Sequence, residues 1–314
     1  MAASITTTAS SSLVTSCFRV VLYALLTLVL IPIQAASVLL RLPFSKRLPI
    51  WYHRMCCRIL GIRIEVFGHR SRTRPTLFIA NHASYLDIAI YGALIQGSFV
   101  AKAEVEKWPI FGLLAKLQNS VFVDRRVRTS RLQAKSIVSR LERGDSIILF
   151  PEGTSGDGNR VLPFKSALFA VANIKPQGLP LVLQPVSLTY SRLDGIPIGR
   201  HLRPLFAWYG DVDMFSHASR LIGLGRLTVT VSFHEPVTIG EFASRKELAT
   251  HCFNRISYGH AEALAGRLQP LAGRAGRWDW ISWRPRPRLR DLRSRRRAPG
   301  IKVAIEENRR LDSR

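Results

Sequence analysis

Cysteine is scarce in this sequence, and its spacing does not suit metal binding or cross-linking. The chain has four cysteines (Cys17, Cys56, Cys57 and Cys252), and no two of them form a C-x-x-C pair. The adjacent Cys56 and Cys57 cannot easily bridge one another. This usage argues against a zinc-finger arrangement and a disulfide framework. We therefore expect a reduced, cytoplasm-facing protein without a structural metal.

The usual signatures of nucleotide-binding folds are also missing. The sequence contains neither a G-x-G-x-x-G pattern nor a Walker A pattern, so nucleotide-binding folds are disfavoured. No internal repeat is visible. Disorder along the whole chain is excluded, because 47% of the 314 residues are hydrophobic and can fill a sizeable core. The length fits one large domain or two modest ones.

Acidic residues are few compared with basic ones. The chain has 21 Asp and Glu against 46 Lys and Arg, which gives a formal net charge of +25. A protein with this charge attracts polyanions, and the candidates are nucleic acid, anionic lipid headgroups and phosphorylated substrates.

The C-terminal residues 269–314 form a basic tail rich in Arg and Trp. Its arginine runs show no helical or strand periodicity. Trp278, Trp280 and Trp283 could stack on bases, but Trp and Arg fit interfacial membrane anchoring equally well. The tail contains no folded nucleic-acid motif, so we expect an anionic membrane surface as its partner and not nucleic acid.

The N-terminal region predicts a membrane-embedded helical segment at 13–58, after a disordered stretch at 1–12. No charge occurs between Val20 and Leu40, a length sufficient for a bilayer core. Pro32 and Gln34 interrupt this run, so a kinked helix and two short helices dipping into one leaflet both remain open. Basic residues follow the run, which favours an inner-membrane protein with its body in the cytoplasm. A poor cleavage site and the missing basic n-region argue against a signal peptide.

The body at 59–268 alternates strand-like and helix-like segments, which predicts an α/β domain built on a mixed β-sheet flanked by helices. The predicted strands are Ile62–Phe67, Thr76–Ala80, Ser98–Ala101, Ser120–Val123, Ser146–Phe150, Leu181–Thr189, Leu205–Tyr209 and Leu227–Phe233. The predicted helices are Tyr85–Ile95, Pro109–Leu117, Thr129–Glu142, Phe164–Ala172 and Ile239–Leu268.

A candidate catalytic pair follows the second predicted strand. His82 stands just after Thr76–Ala80, and Asp87 lies within the first turns of the next helix. Ligand crevices of open α/β sheets lie at such strand ends. The Asp87 carboxylate could hold one tautomer of the imidazole and leave the other nitrogen as a base. Taken alone, this spacing more often marks a helix cap and a dipole contact.

Three further sequence blocks favour the catalytic interpretation of His82 and Asp87. Phe122-Val-Asp-Arg125 ends another strand, Phe150-Pro-Glu-Gly-Thr154 ends a third, and Gln184-Pro-Val186 lies within a fourth apolar run. With Asn81-His-x4-Asp87, and in this order, the blocks resemble the motifs of the glycerolipid acyltransferase family, best known for 1-acylglycerol-3-phosphate acyltransferases. The resemblance covers roughly residues 60–190.

The resemblance implies a catalytic mechanism. His82 would be the general base that takes the proton from the free hydroxyl of a lysolipid acceptor, and Asp87 would orient it. The family transfers the acyl group directly from an acyl carrier protein or coenzyme A thioester. Ser84 is then no nucleophile, and neither a metal nor a cofactor is expected. A catalytically inactive membrane scaffold is disfavoured, because the whole His-Asp-Arg-Glu set is present.

The resemblance also implies a set of acceptor-binding residues. Arg125 would bind the phosphate or another anionic headgroup, because guanidinium groups favour oxyanions. Lys102 is a candidate for the headgroup or for the thioester oxyanion. The remaining residues implied at the acceptor site are Asn81, Glu152, Gly153 and Thr154.

One departure bears on the acceptor. Many lysophosphatidate-specific members place an Arg after the Thr of the third block, and this chain has Ser155 there. The segments 155–169 and 206–211 resemble the bacterial lyso-ornithine lipid acyltransferase branch, which esterifies the hydroxyl of an N-linked 3-hydroxyacyl ornithine. Lyso-ornithine lipid is therefore the expected acceptor, and lysophosphatidate is the alternative. Arg160 and Lys165 are additional candidates for anion binding, although a solvated loop would also explain them.

Overall fold

The computed structural model describes residues 12–123 and 130–268. The stretch expected to be disordered (apart from Ser12), Arg125 and the basic tail 269–314 lie outside these residues. The helices are α1 (Leu13–Leu39), α2 (Leu48–Ile59), α3 (Leu86–Leu94), α4 (Phe111–Leu117), α5 (Ser130–Glu142), α6 (Met214–Ile222) and α7 (Arg245–Leu264). The strands are β1 (Ile62–Gly68), β2 (Thr76–Ala80), β3 (Ser98–Lys102), β4 (Val121–Val123), β5 (Ile147–Leu149), β6 (Val182–Leu193), β7 (Ile196–Pro197) and β8 (Leu227–Phe233).

The strands form one mixed sheet in the order β1-β8-β6-β2-β5-β3-β4, with β7 paired to β6. β2 lies parallel to both β5 and β6, and β3 lies parallel to both β5 and β4. β8 is antiparallel to β6 and parallel to β1. The predicted mixed sheet with flanking helices is thus confirmed.

The central strands are buried on both faces, as their continuous apolar sequences require. In β2, Phe78 and Ala80 face a core that includes Ile90 and Tyr91 of α3. Leu77 and Ile79 face the opposite core, which includes side chains of α5 and α7. The alternation follows from the period-2 geometry of a strand. The result is three layers, with the sheet in the middle.

The parallel strands bring the predicted motifs to one edge of the sheet. Because β2, β5 and β3 run in the same direction, their carboxyl ends meet at that edge. His82 follows β2, the Phe150–Thr154 block follows β5, and Lys102 is the last residue of β3. The sheet therefore assembles segments that are distant in the sequence.

The apolar run of the N-terminal segment lies in one continuous helix, α1, and not in two short ones, and α2 follows it within 13–58. Helix α1 runs through Pro32, and its N-cap Ser12 accepts a hydrogen bond from the Thr15 backbone N–H. Among the described residues, α1 is the one helix long and apolar enough to cross a membrane by length and composition. It lies in the same compact unit as α2 and the sheet.

The prediction of a strand at Leu205–Tyr209 is wrong. The segment contains the end of a short 3₁₀ helix, Arg203–Leu205, followed by irregular chain. Phe206 and Ala207 are buried by packing over the sheet: the Phe206 ring stacks on Tyr190 with centroids 6.0 Å apart. The Trp208 backbone N–H bonds to a loop, not to a strand partner. Burial alone therefore produced the strand-like pattern.

Two predicted helices also differ from the structure. The segment expected as a helix at Phe164–Ala172 is a 3₁₀ helix at Ser166–Asn173. The long pattern Ile239–Leu268 divides into a short 3₁₀ turn and α7. The division occurs at Ser244, whose side chain caps α7 by accepting a hydrogen bond from the Glu247 N–H.

Candidate active site

The loop between β2 and α3 binds the Asp87 carboxylate tightly. Oδ2 accepts hydrogen bonds from His82 Nδ1 at 2.9 Å, the Ala83 N–H at 2.7 Å and the Ser84 N–H at 2.9 Å. The Asp87 side chain is fully buried. Asp87 begins the first turn of α3, where the helix dipole favours a negative charge. The loop thus folds around a single carboxylate.

Tyr190 supplies a fourth hydrogen bond to the same carboxylate. Its hydroxyl donates to Asp87 Oδ1 at 2.5 Å. Burial, with the nearby Asp87 charge, holds the pKa of Tyr190 well above its usual value, so the phenol stays protonated. Tyr190 lies in β6, far from Asp87 in sequence, and the sequence analysis did not identify it. The available signal was a Tyr inside a buried strand, whose hydroxyl must find a partner.

The geometry leaves one nitrogen of His82 free for chemistry. An ionised Asp87 only accepts hydrogen bonds, so in the neutral imidazole Nδ1 of His82 carries the proton and Nε2 is the nitrogen with a free lone pair. The ring stacks on Phe150 with centroids 4.3 Å apart and planes 16° apart. It remains 21% exposed and lines a cavity. A base held in this way can accept a proton from a substrate hydroxyl.

Glu152 joins the His82 loop to the loop that follows β5. One of its oxygens accepts the His82 backbone N–H at 2.7 Å, and the other accepts the Leu162 N–H at 2.8 Å. Burial raises the pKa of Glu152 to about 8, and the Asp87 charge adds to this rise, while the two N–H groups oppose it. Glu152 is buried and does not line the cavity, so it joins the two loops behind the cavity wall. Its predicted role at the acceptor site stays a prediction.

Gly153 allows a lysine to cross close to the backbone. Its φ of +71° is favourable for glycine, and a Cβ there would lie 2.6 Å from Lys165 Nζ. Gly153, the exposed Thr154 and Lys165 all line the cavity. Their predicted roles in acceptor binding stay predictions, but the structure brings them to the same place as His82.

The other predicted binding residues are placed differently. The Asn81 amide is buried: its oxygen accepts the Leu188 N–H of β6 at 2.8 Å, and its nitrogen donates to the Leu188 carbonyl at 2.9 Å. Its predicted role in substrate binding stays a prediction. Lys102 lines the cavity, with its ammonium 3.0 Å from Glu104. Arg125 lies outside the described residues.

The cavity beside His82 has a volume of about 1070 Å³. Its wall away from His82 is largely apolar and comes from α1, α2, α4 and α6. The residues of these helices that line it include Leu30, Ile31, Phe111, Leu114, Met214, Phe215, Ala218 and Leu221. A volume of this size, with a polar end at His82 and an apolar remainder, suits a ligand with a charged head and a hydrocarbon chain.

The segment after Phe206 closes one side of the site. The Trp208 N–H donates to the Ala83 carbonyl at 2.8 Å, and the Ser155 hydroxyl donates to the Trp208 carbonyl. Trp208 also lines the cavity. From the sequence, this segment was a predicted strand and part of the resemblance, and no local pattern indicates that it contacts the His82 loop.

The chain is similar to proteins of known family. A protein-family model described as "Acyltransferase" matches residues 63–189. The chain is 42% identical over 251 residues to a lyso-ornithine lipid O-acyltransferase of Brucella abortus, covering 79% of this chain and 94% of that relative. It is 41% identical over 255 residues to a protein of the same name from Rhizobium meliloti, covering 80% and 87%.

A solved structure shares the fold. The crystal structure of the 1-acyl-sn-glycerophosphate acyltransferase PlsC of Thermotoga maritima matches with a TM-score of 0.53 and 23% identity, covering 80% of this chain and 99% of that one. At this identity the likeness concerns the fold alone. The sequence relatives, which align over most of both chains, carry the assignment further: this chain belongs to the acyltransferase family.

Proposed function

We propose that this lipid acyltransferase moves a fatty acyl group from a thioester to the free hydroxyl of lyso-ornithine lipid. The donor would be an acyl carrier protein or coenzyme A thioester, with no metal or cofactor. The observation that carries the proposal is the buried Asp87, which holds His82 at the polar end of a large apolar cavity. The names of relatives at 42% and 41% identity support the acceptor.

The proposed reaction is a direct transfer. His82 Nε2 takes the proton of the acceptor hydroxyl as its oxygen attacks the thioester carbonyl carbon. The carbon–sulfur bond then breaks, and the imidazolium returns its proton to the leaving thiolate. Asp87 stabilises the transient positive charge on the ring. General-base catalysis of this kind contributes about 10²–10⁴-fold to a rate.

Ser84 has no part in this reaction as a nucleophile. It is fully buried, and its hydroxyl oxygen lies 3.4 Å from the Leu86 N–H. It does not line the cavity, whereas His82 does. An acceptor hydroxyl can therefore reach the base, but it cannot reach this serine.

Ser155 favours lyso-ornithine lipid over lysophosphatidate. Its hydroxyl is committed to the Trp208 carbonyl, so this position supplies no cation to a phosphate. An ornithine headgroup has a single carboxylate and requires less positive charge. Lysophosphatidate, with phosphatidic acid as its product, remains the alternative acceptor, since Lys165 could bind either anion.

The contacts of helix α1 with the rest of the domain favour a membrane-associated enzyme in which α1 does not cross the bilayer. Near one end, Arg19 donates to the carbonyls of Ile222 and Leu224 at 2.9 and 2.7 Å. Fifteen residues on, about 22 Å along the helix, Gln34 donates to the Leu117 carbonyl at 3.0 Å. The helix is thus attached to the domain at both points. We infer that it lies in one leaflet, with its outer face in the lipid.

That outer face is apolar and exposed, and it comprises Leu13, Val14, Phe18, Val21, Leu25, Leu28 and Val29. The net charge of +25 would hold the rest of the surface against anionic headgroups. The basic residues after α1 favour the cytoplasmic leaflet of the inner membrane. An enzyme in this position could take its lysolipid directly from the leaflet.

The acceptor can be tested with membranes that contain the wild-type protein or its His82→Ala variant. We expect the wild type to transfer label from an acyl carrier protein thioester to lyso-ornithine lipid. The variant should show no transfer above background, because it lacks the base while the fold is retained. The measurement is labelled diacyl product separated by chromatography, with 1-acylglycerol-3-phosphate as the second acceptor.

Each outcome of this assay decides between acceptors. Product from lysophosphatidate alone would contradict the ornithine assignment and establish the alternative. Undiminished transfer by His82→Ala would contradict the proposed mechanism for either acceptor.

Tyr190 should act as a positioning residue for Asp87. Tyr190→Phe removes the donor to Oδ1 and little else, so we expect kcat to fall about tenfold or more. A hydrogen bond to a charged group is worth roughly 1.5–3 kcal/mol. KM for the acceptor should stay within about twofold, since Tyr190 is buried behind Asp87. Tyr258→Phe, on a side chain that is 62% exposed, is the matched control. An unchanged kcat in Tyr190→Phe would refute this role.

The membrane assignment predicts how the protein fractionates. Leu25 and Leu28 are 54% and 68% exposed on the outer face of α1. Replacing both with Lys places two charges in the lipid, so more protein should appear in the supernatant after a high-salt wash. The control is Leu179→Lys, at a position that is 65% exposed and lies outside α1. If the double variant pellets like the wild type, α1 is not the membrane contact.

A further inference from the structure

Three aromatic side chains form a cluster on the cavity wall beside the His82 loop. The Trp208 ring contacts Tyr85, with centroids 6.0 Å apart and planes at 63°. It also contacts Trp108, with centroids 6.2 Å apart and planes at 79°. All three line the cavity and are partly exposed. We call Tyr85, Trp108 and Trp208 the aromatic cluster.

The cluster is attached to the reacting end of the cavity. Tyr85 follows His82 by three residues, and the Trp208 N–H donates to the Ala83 carbonyl at 2.8 Å. The Trp208 carbonyl accepts the Ser155 hydroxyl, at the end of the block that contains Gly153. The cluster therefore lines the same part of the cavity wall as the loop that contains His82.

The indole of Trp208 has no remaining donor to offer a ligand. Its Nε1–H donates to the Val212 carbonyl at 2.7 Å, which also fixes the orientation of the ring. What the ring presents to the cavity is its π-system. Tryptophan is the aromatic side chain that attracts an ammonium group most strongly.

The charges along the cavity are of one sign. Among the described residues that line it, none is Asp or Glu, and Lys102 and Lys165 are the two lysines. Lys102 is paired with Glu104 at 3.0 Å. For Lys165 the structure shows no ion pair within the described part of the chain, and its ammonium lies against Gly153. An anion can bind Lys165, whereas a ligand ammonium meets no carboxylate among the described residues of the wall, only neutral oxygen atoms and aromatic rings.

We propose that Lys165 and the aromatic cluster form a site for a zwitterionic amino-acid headgroup. Lys165 binds the carboxylate, and Trp208, supported by Tyr85 and Trp108, binds the side-chain ammonium by a cation–π contact. This assignment rests on the proposed function and identifies the residues that select the ornithine headgroup. It also explains how a cavity without a described carboxylate on its wall accepts a cationic substrate.

The competing interpretation is that the cluster is an apolar wall for an acyl chain. In that case, a smaller apolar side chain would affect all acceptors alike. A cation–π contact predicts something different, because its loss matters only when the acceptor carries an ammonium group. Chemical changes to the acceptor therefore separate the two interpretations.

The experiment compares lyso-ornithine lipid with its derivative acetylated on the side-chain amine, in mixed micelles. For the wild type, we expect kcat/KM to be about tenfold higher with the ammonium form, in the range of a partly desolvated cation–π contact. In Trp208→Leu, kcat/KM should be about the same for the two acceptors, and in Trp208→Phe part of the preference for the ammonium form should remain. Activity of each variant on the acetylated acceptor shows that it is folded. Trp108→Leu is the second variant, should Trp208→Leu fail to fold.

Lys165 is tested in the same way. Lys165→Met should lower kcat/KM for lyso-ornithine lipid about tenfold, on the scale of a lost charge-assisted contact. It should have little effect on the methyl ester of the same acceptor. Lys165→Arg should retain most of the preference for the free carboxylate. Lys175→Met is the matched control, since Lys175 is exposed and does not line the cavity.

The outcomes separate this inference from the proposed function. If the wild type does not acylate lyso-ornithine lipid, the proposed function fails and the headgroup site fails with it. If it does, but Trp208→Leu keeps the full preference for the ammonium form, the aromatic assignment alone is wrong. Asp211 lies three residues after Trp208. If Asp211→Asn loses that preference, the ammonium binds a carboxylate and not the aromatic cluster, which would also overturn the assignment.

Discussion

The site depends on one buried carboxylate and on the four donors that hold it. Asp87 is removed from water, and an ionised carboxylate there is tolerable only because its lone pairs are satisfied. Two of the donors are backbone N–H groups of the loop that contains His82. The same interaction therefore shapes the loop and orients the imidazole. A change at Asp87 should affect geometry and chemistry together.

A second buried carboxylate extends this arrangement to the neighbouring strand. Glu152 accepts N–H groups from both the His82 loop and the loop after β5, so the two loops form one unit. Trp208 adds a third segment through the Ala83 carbonyl. The polar end of the cavity is thus built from three segments that are far apart in sequence. The apolar helices supply the rest, which matches a substrate with a small headgroup and long hydrocarbon chains.

Much of the sheet and of the candidate site was predictable from the sequence, because local patterns determine the strands and the motifs at their ends. Strand ends place His82 and the Phe150–Thr154 block on one edge, and the structure confirms that placement. Tyr190 was not predictable, because nothing local connects a tyrosine in β6 with a carboxylate in α3. The segment at 205–209 resembled a strand because it is apolar, and tertiary packing buries Phe206 and Ala207 within it. Long-range contacts of this kind leave no periodic signal in the sequence.

The most direct test of the proposed mechanism is the kcat of Asp87→Asn relative to wild type, on lyso-ornithine lipid at saturating thioester. The asparagine amide fills the same space but can donate to Nδ1, which leaves the proton on Nε2 and removes the base. We predict a fall in kcat of about a thousandfold or more, the scale of the same substitution in Ser-His-Asp triads. A variant that retains kcat within about tenfold of wild type would contradict the role of Asp87 in holding His82 as the base.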